Sequence, residues 1–370
     1  MAETSSAKEY EGLSQAEIDE LVAQADTGGR NAGPFIGRLI AGIALVWSLF
    51  QLWFASPLPF ALGFGVFNDT EARSIHLAFA VVLAFLAFPP ARSTVQTALG
   101  VGVPLVLGGL LAISAGDIFP AWVVLLITVV VAAACALPTR NDRVAIQEWA
   151  MAIVGGFCAA YIFLFYRDLA DRVGQPIFID YVVSIAGLLL LLEAARRSLG
   201  PALVIVASVF LLYTVLGPYM PEIIAHKGNN LREIINHHWI TTEGVFGIAL
   251  GVSTSFVFLF VLFGALLDKA GAGNYFIQVA FSLMGHMKGG PAKAAVVSSA
   301  MTGLISGSSI ANVVTTGTFT IPLMKKVGFS AEKAGAVEVA SSVNGQIMPP
   351  VMGAAAFLMV EYVGIPYFDV

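Results

Sequence analysis

Two short stretches of this chain combine residue types and spacing that point to chemistry: Ser306-Gly307-Ser308-Ser309 with Asn312, and Asn344-Gly345-Gln346 with Pro349-Pro350. Glycine lets a backbone turn without a Cβ penalty. Two consecutive prolines remove two backbone donors and disfavour helix at the residue before them. Interrupted helices expose free N–H and C=O groups, with dipole ends of either sign. N-terminal ends can receive an anionic group, whereas carbonyls and hydroxyls can ligate a small cation. No side chain from Ala294 to Met324 is charged. Mg²⁺ and Ca²⁺ normally demand carboxylates, so a monovalent ion such as Na⁺ suits these neutral oxygens. The candidate donors are the hydroxyls of Ser306, Ser308 and Ser309 and the amide oxygens of Asn312 and Asn344. Carbonyls freed around Gly307 and Gly345 add to them. With no carboxylate expected nearby, only dipoles offset the ion's desolvation, and a modest affinity follows.

Other chemistry-bearing residues fit no constellation. His226 and the pair His237-His238 fall in a polar loop and read as solvated. Cys135 and Cys158 sit in apolar runs and read as small buried hydrophobes, without a disulfide or zinc spacing. A Gly-x-Ser-x-Gly elbow, a His-Glu-x-x-His helix and a phosphate-binding loop are all missing from the sequence. No enzyme activity and no cofactor is expected. Energy for any transport would then come from an ion gradient or another chain.

The elements that must position these residues follow from composition. Of 370 residues, 58% are apolar and 12% charged, about half the charge of an average soluble domain. The net charge of −5 resides in residues 1–34, an acidic tail expected to be mobile, with a short helix over Ser14–Ala25. The remainder is balanced, so no nucleic-acid partner is implied. Spans of about 20 apolar residues cross a bilayer. Candidates are Phe35–Ala55, Ala72–Phe88, Ala98–Ala115, Ile118–Leu137, Ile146–Tyr166, Tyr181–Ala194, Pro201–Gly217 and Val245–Leu267. Arg92, Arg140, Arg143, Arg196 and Arg197 fall in alternate loops, which places the N-terminus in the cytoplasm. The fold class is an all-α polytopic membrane protein.

Beyond Leu267 the pattern changes. Ala272–Met287 suits a helix lying at the interface. Residues 291–324 break at Ser306–Ser309 into arms of about 14 residues, each rising roughly 21 Å, which makes a re-entrant hairpin. Residues 331–362 form a helix broken at the double proline. A hairpin beside a broken helix is how transporters place a site at the membrane midplane. Small residues also serve helix packing, but packing does not explain Pro349-Pro350.

The segments Phe260-Val-Leu-Phe-Gly-Ala-Leu-Leu-Asp268, Gly285-His-Met-Lys-Gly-Gly-Pro291, Gly303–Asn312, Thr320-Ile-Pro-Leu-Met324 and Gly345–Gly353 resemble the large permease subunit of tripartite ATP-independent periplasmic (TRAP) transporters. His76–Ala80, Leu192–Arg197, Gly200–Ala202 and Thr241–Phe246 are similar to the fused branch, in which a small membrane subunit precedes the large one and a TAXI-type binding protein delivers the solute. The resemblance implies a small-subunit-like scaffold over 35–198 and the first part of a large-subunit-like, elevator-type transport region over 199–370. Spans within 98–137 look like an addition to the usual small-subunit region. It further implies Na⁺-coupled symport of a small organic anion across a bacterial inner membrane. The site residues would be Ser306, Gly307, Ser308, Ser309, Asn312, Asn344, Gly345 and Gln346, with Pro349 and Pro350 keeping the helix open. The family's second, inverted hairpin and broken helix have no counterpart here, so the chain is expected to be the front portion of a longer permease. The alternative is a non-transporting scaffold that assembles with other membrane chains.

Overall fold

The computed structural model describes residues 29–30, 33–90, 94–137, 139 and 143–370. The expected acidic tail and its helix, together with Arg92 and Arg140, lie outside the described residues. The described chain is helical and forms two compact units, residues 29–254 and 255–370. Among the described residues, seven helices are long and apolar enough to cross a membrane, Ile248–Leu267 included.

In the first unit, α1 (Pro34–Ala55), α2 (Asp69–Ala87), α3 (Thr94–Ala115), α4 (Ala121–Ala136), α5 (Ile146–Leu164), α6 (Phe178–Leu199) and α7 (Pro201–Leu216) follow the hydropathy pattern closely. The apolar run Tyr181–Ala194 is short for a span, and α6 extends it by about a turn at each end. The extension is possible because the last, charged turn is buried rather than solvated. Glu193 accepts both Nε and Nη2 of Arg196 at 2.8 Å and Nε of Arg197 at 2.7 Å. Glu148, at the start of α5, accepts from Arg30 Nη2 at 2.6 Å and from Arg197 Nη1 at 3.2 Å. Asp180 likewise accepts from Arg172 at 2.8 Å and from Tyr161 at 2.6 Å. These three buried acids therefore each face an arginine, the arrangement that makes burying a charge tolerable. Leu77 and Val81 of α2, Met151 and Ile162 of α5 and Leu188 and Leu190 of α6 belong to the core that contains Phe85, Ile185 and Leu189. Ile113, Trp122 and Phe210 point outward, as expected where lipid is the solvent.

His76 of α2 shows how polar side chains are placed inside this unit. Its Nδ1 receives both Trp47 Nε1 at 3.2 Å and Gln51 Nε2 at 2.8 Å. Two donors on one nitrogen make it the acceptor, so Nε2 carries the proton and donates to Ser253 Oγ at 3.2 Å. His226, His237 and His238 are not simply solvated in a loop. Half-buried His226 accepts the Gly228 N–H at Nδ1 and meets the Tyr213 carbonyl of α7 through Nε2. His237 and His238 lie in the helical turn Asn236–Ile240, where His237 Nδ1 contacts Glu243. Cys135 and Cys158 are buried and free.

The second unit contains α8 (Phe258–Lys269), α9 (Ala272–Met284), α10 (Gly290–Ser306), α11 (Ser309–Lys326), α12 (Ala331–Ser342) and α13 (Ala354–Val363). The hairpin arms α10 and α11 have 17 and 18 residues, longer than the composition suggests. Pro291 sits at the start of α10 and Pro322 is accommodated inside α11, so the helices continue through Gly290 and down to Lys325-Lys326. A small core of Ala295, Met324 and Ala334 joins α10, α11 and α12. The two alanines let the backbones approach closely, and the polar seam between these helices depends on that approach.

Candidate functional site: a hairpin tip against a broken helix

Gly307 ends α10 with φ +60° and returns its N–H to the Gly303 carbonyl, a left-handed cap that suits glycine. A Cβ there would also lie 2.3 Å from the Met352 carbonyl oxygen. The tip therefore presses directly on the segment that follows the broken helix. Ser306 Oγ accepts from Ser308 N–H at 3.2 Å and donates to the Ser308 carbonyl at 3.1 Å, which closes the turn on itself. The second arm, α11, restarts at Ser309.

On the other side, Ser330 caps α12 by accepting the Lys333 N–H. The helix tightens after Ser342 into a 3-10 turn, Val343–Gln346. The chain then leaves helical geometry through the cis peptide Pro349-Pro350, and α13 resumes at Ala354. Gly353 N–H bonds back to the Gln346 carbonyl at 2.8 Å, and Tyr367 donates its hydroxyl to the Pro350 carbonyl at 2.6 Å. The interruption expected from the double proline is thus a closed loop with its own partners.

These two breaks meet. A Cβ on Gly303 would lie 2.6 Å from Gly345 Cα, and one on Gly345 would lie 3.3 Å from Asn312 Nδ2. Gln346 Nε2 donates to Ser309 Oγ at 3.1 Å. The structure therefore brings Gly307, Ser309, Asn312, Gly345 and Gln346 together. Ser306 and Ser308 form the tip beside them, and Asn344 stands half-buried in the 3-10 turn. Gln346 is exposed; Asn312 is fully buried.

Asn312 is the informative member. Its Nδ2 donates to the Ser299 carbonyl at 2.8 Å, which fixes the orientation of the amide, since the opposite flip would set oxygen against oxygen. Its Oδ1 has no hydrogen-bond partner despite complete burial. Thr302 Oγ1, one residue before Gly303, is also buried and unpartnered. Buried polar atoms are normally satisfied, and two oxygens left open at a helix break are what a bound cation or an ordered water would use.

One expectation is corrected. The sequence reads as free of carboxylates around the site, but Glu338 of α12 is fully buried beside α11. Its Oε1 and Oε2 contact the hydroxyls of Thr316 and Thr320, and Ser342 Oγ lies 3.5 Å from Oε1. Ser342 in turn meets Ser299 Oγ at 3.2 Å. A signal for this cluster is present: Glu338 is the lone charge in the small, apolar run Ala334–Ser342. A fully buried ionisable residue whose partners are hydroxyls is a functional candidate. Periodicity does not show that it faces α11, because that depends on how two arms of one hairpin pack on a third helix.

Comparison with known proteins places the chain in a family. Residues 186–370 match the model for the DctM component of tripartite ATP-independent periplasmic transporters. The chain is 34% identical over 91 residues to the C4-dicarboxylate TRAP transporter large permease protein of Rhodobacter capsulatus, covering 25% of this chain and 21% of that protein. It is 35% identical over 91 residues to the corresponding permease of Vibrio cholerae, covering 25% and 20%. It is 32% identical over 95 residues to the ectoine TRAP transporter large permease protein of Halomonas elongata, covering 26% and 22%. The chain thus spans about a fifth of the length of each of these relatives. No solved structure matches. With half of its residues matched by the family model, in the half that carries the hairpin and the broken helix, the chain belongs to the tripartite ATP-independent periplasmic transporters as a DctM, or large permease, component.

Proposed function

We propose that this chain is the membrane permease component of a Na⁺-coupled secondary uptake system for small organic anions, delivered by an extracytoplasmic TAXI-type binding protein. The observation that carries the reading is the unpartnered, fully buried Oδ1 of Asn312 where Gly303 meets Gly345. Carbonyl-bearing ends of α10 and α12 carry partial negative charge suited to a cation. The starts of α11 and α13 offer N–H groups suited to an anion. Ser308, Asn312 and Asn344 are the proposed Na⁺ ligands, with Gly307, Ser306, Ser309, Gly345 and Gln346 shaping the site. Residues 35–198 serve as the small-subunit-like scaffold and residues 199–370 as part of the large-subunit-like transport region of an inverted-repeat permease. The relatives named for C4-dicarboxylate and ectoine transport are consistent with small solutes.

The test is uptake into sealed proteoliposomes that contain the complete permease and its binding protein, without ATP. An imposed inward Na⁺ gradient drives accumulation, and replacing Na⁺ by choline abolishes it. Accumulation indifferent to the Na⁺ gradient would sink the reading.

The placement we propose is the bacterial inner membrane with the N-terminus in the cytoplasm. Arg197 is buried in ion pairs with Glu148 and Glu193 and is unsuitable as a topology probe. Arg143 is exposed, as is Asp69 at the far end of the α2 span. In intact cells Arg143→Cys should resist an impermeant thiol reagent while Asp69→Cys reacts. Labelling of the Arg143→Cys variant from outside would reverse the orientation.

A further inference from the structure

Glu148, Asp180 and Glu193 are each buried against an arginine, but Glu338 is not. Its contacts are three hydroxyls: Thr316, Thr320 and Ser342. The elements packed on α12 are α10, α11 and the 3-10 turn. The charged residues on these and on α12 itself are Lys293, Lys325, Lys326, Glu332 and Lys333, and all of them are exposed. Among the described residues no cation pairs with Glu338. An isolated carboxylate with zero exposure is costly unless its charge is cancelled.

The hydroxyls around it accommodate a proton. Thr316 Oγ1 also reaches the Asn312 carbonyl at 2.8 Å, and Thr320 Oγ1 reaches the Thr316 carbonyl at 3.0 Å. Each threonine has one proton and two acceptors within reach, so hydroxyl protons are too few to satisfy a carboxylate and both carbonyls at once. Adding one proton to Glu338 relieves that shortage at one threonine, and the other threonine donates to the acid's carbonyl oxygen. The acid O–H donates to one threonine oxygen, and that hydroxyl turns to donate to its own carbonyl four residues back. A metal cation would have to separate oxygens that already touch, parting α11 from α12. We propose that Glu338 is a proton-binding site, holding a neutral carboxylic acid while the α11–α12 seam is closed and taking its proton from water when the seam opens.

Infrared difference spectroscopy on the purified full chain in lipid nanodiscs at neutral pH tests this. The expected result is a protonated-carboxyl C=O band that shifts in D₂O, shifts again with carbon-13 glutamate, and is missing from Glu338→Gln. Gln keeps the size of the acid and both hydrogen-bonding sites. The carbon-13 shift assigns the band to glutamate without any variant. Its loss from a Glu338→Gln chain that still reaches the nanodisc assigns it to Glu338, whereas a band that persists there overturns the proposal. The band should persist when NaCl replaces choline chloride. Two further outcomes overturn it: no glutamate-derived acid band in the wild-type chain, or a band that disappears on adding Na⁺, which would make Glu338 an ion ligand. Neither outcome depends on the Na⁺ response of uptake, which tests the tip separately.

Discussion

Asn312→Ala in the complete permease raises the Na⁺ concentration for half-maximal uptake more than any other substitution at the proposed ion site. Asn312 is fully buried, its Nδ2 is held by the Ser299 carbonyl, and its Oδ1 is free to face an ion. Losing one satisfied partner in such a place costs about 1–3 kcal/mol, a shift of roughly five- to 150-fold. Ser308→Ala and Asn344→Ala act in the same direction but less, because both residues are only half-buried and water can replace the lost oxygen. Thr318→Ala is the control. It is exposed, its hydroxyl is spent on the Thr315 carbonyl, and it should leave the Na⁺ dependence unchanged. Uptake measured against Na⁺ concentration in proteoliposomes decides the matter. If Asn312→Ala lowers the maximal rate with an unaltered Na⁺ midpoint, Asn312 is a packing or solute-binding residue.

Gly303→Ala should abolish uptake outright, and Gly307→Ala should do nearly the same. The Cβ added at 303 would sit 2.6 Å from Gly345 Cα, a backbone atom that cannot swing aside, so the hairpin tip and the broken helix must separate. At 307 the Cβ meets the Met352 carbonyl at 2.3 Å, and the left-handed φ of +60° adds about 1 kcal/mol of its own. Gly345→Ala is milder, since its nearest neighbours lie at 3.3 Å and one of them is a side-chain amide. Gly335, inside α12 with open space around it, takes alanine without loss and gains helix propensity. Membrane abundance measured alongside uptake separates a dead site from a protein that never assembles. Normal uptake by Gly303→Ala would show that the two breaks need not touch.

These expectations follow from contacts, and only part of them is legible in the sequence. The spans are legible because lipid demands long apolar helices. Accordingly, α1 to α3, α5 to α7 and the stretch Ile248–Leu267 appear within a few residues of where hydropathy places them, while α4, expected to span, has only 16 residues. The helix breaks are equally legible. Gly307 and Pro349-Pro350 interrupt helix by local sterics, and local sterics need no neighbours. Ser306, Ser308, Ser309, Asn312, Asn344 and Gln346 can therefore be named as a cluster around two breaks without knowledge of their positions in space.

Hydropathy and local sterics thus set the solvent and the interruptions: a helical chain built for a bilayer, with two polar breaks in its second half. Tertiary structure alone decided which polar groups face each other. Gly303 and Gly345 touch because small residues on neighbouring helices let the backbones close in, a relation between distant points of the chain that no periodicity reveals. The same approach leaves Asn312 Oδ1 without a partner and turns Glu338 inward against Thr316 and Thr320, where composition suggests no acid. The physical reason is one of range: backbone sterics and hydropathy act on neighbours along the chain. The pairing or isolation of a buried charge is set by whichever helix face packs on it.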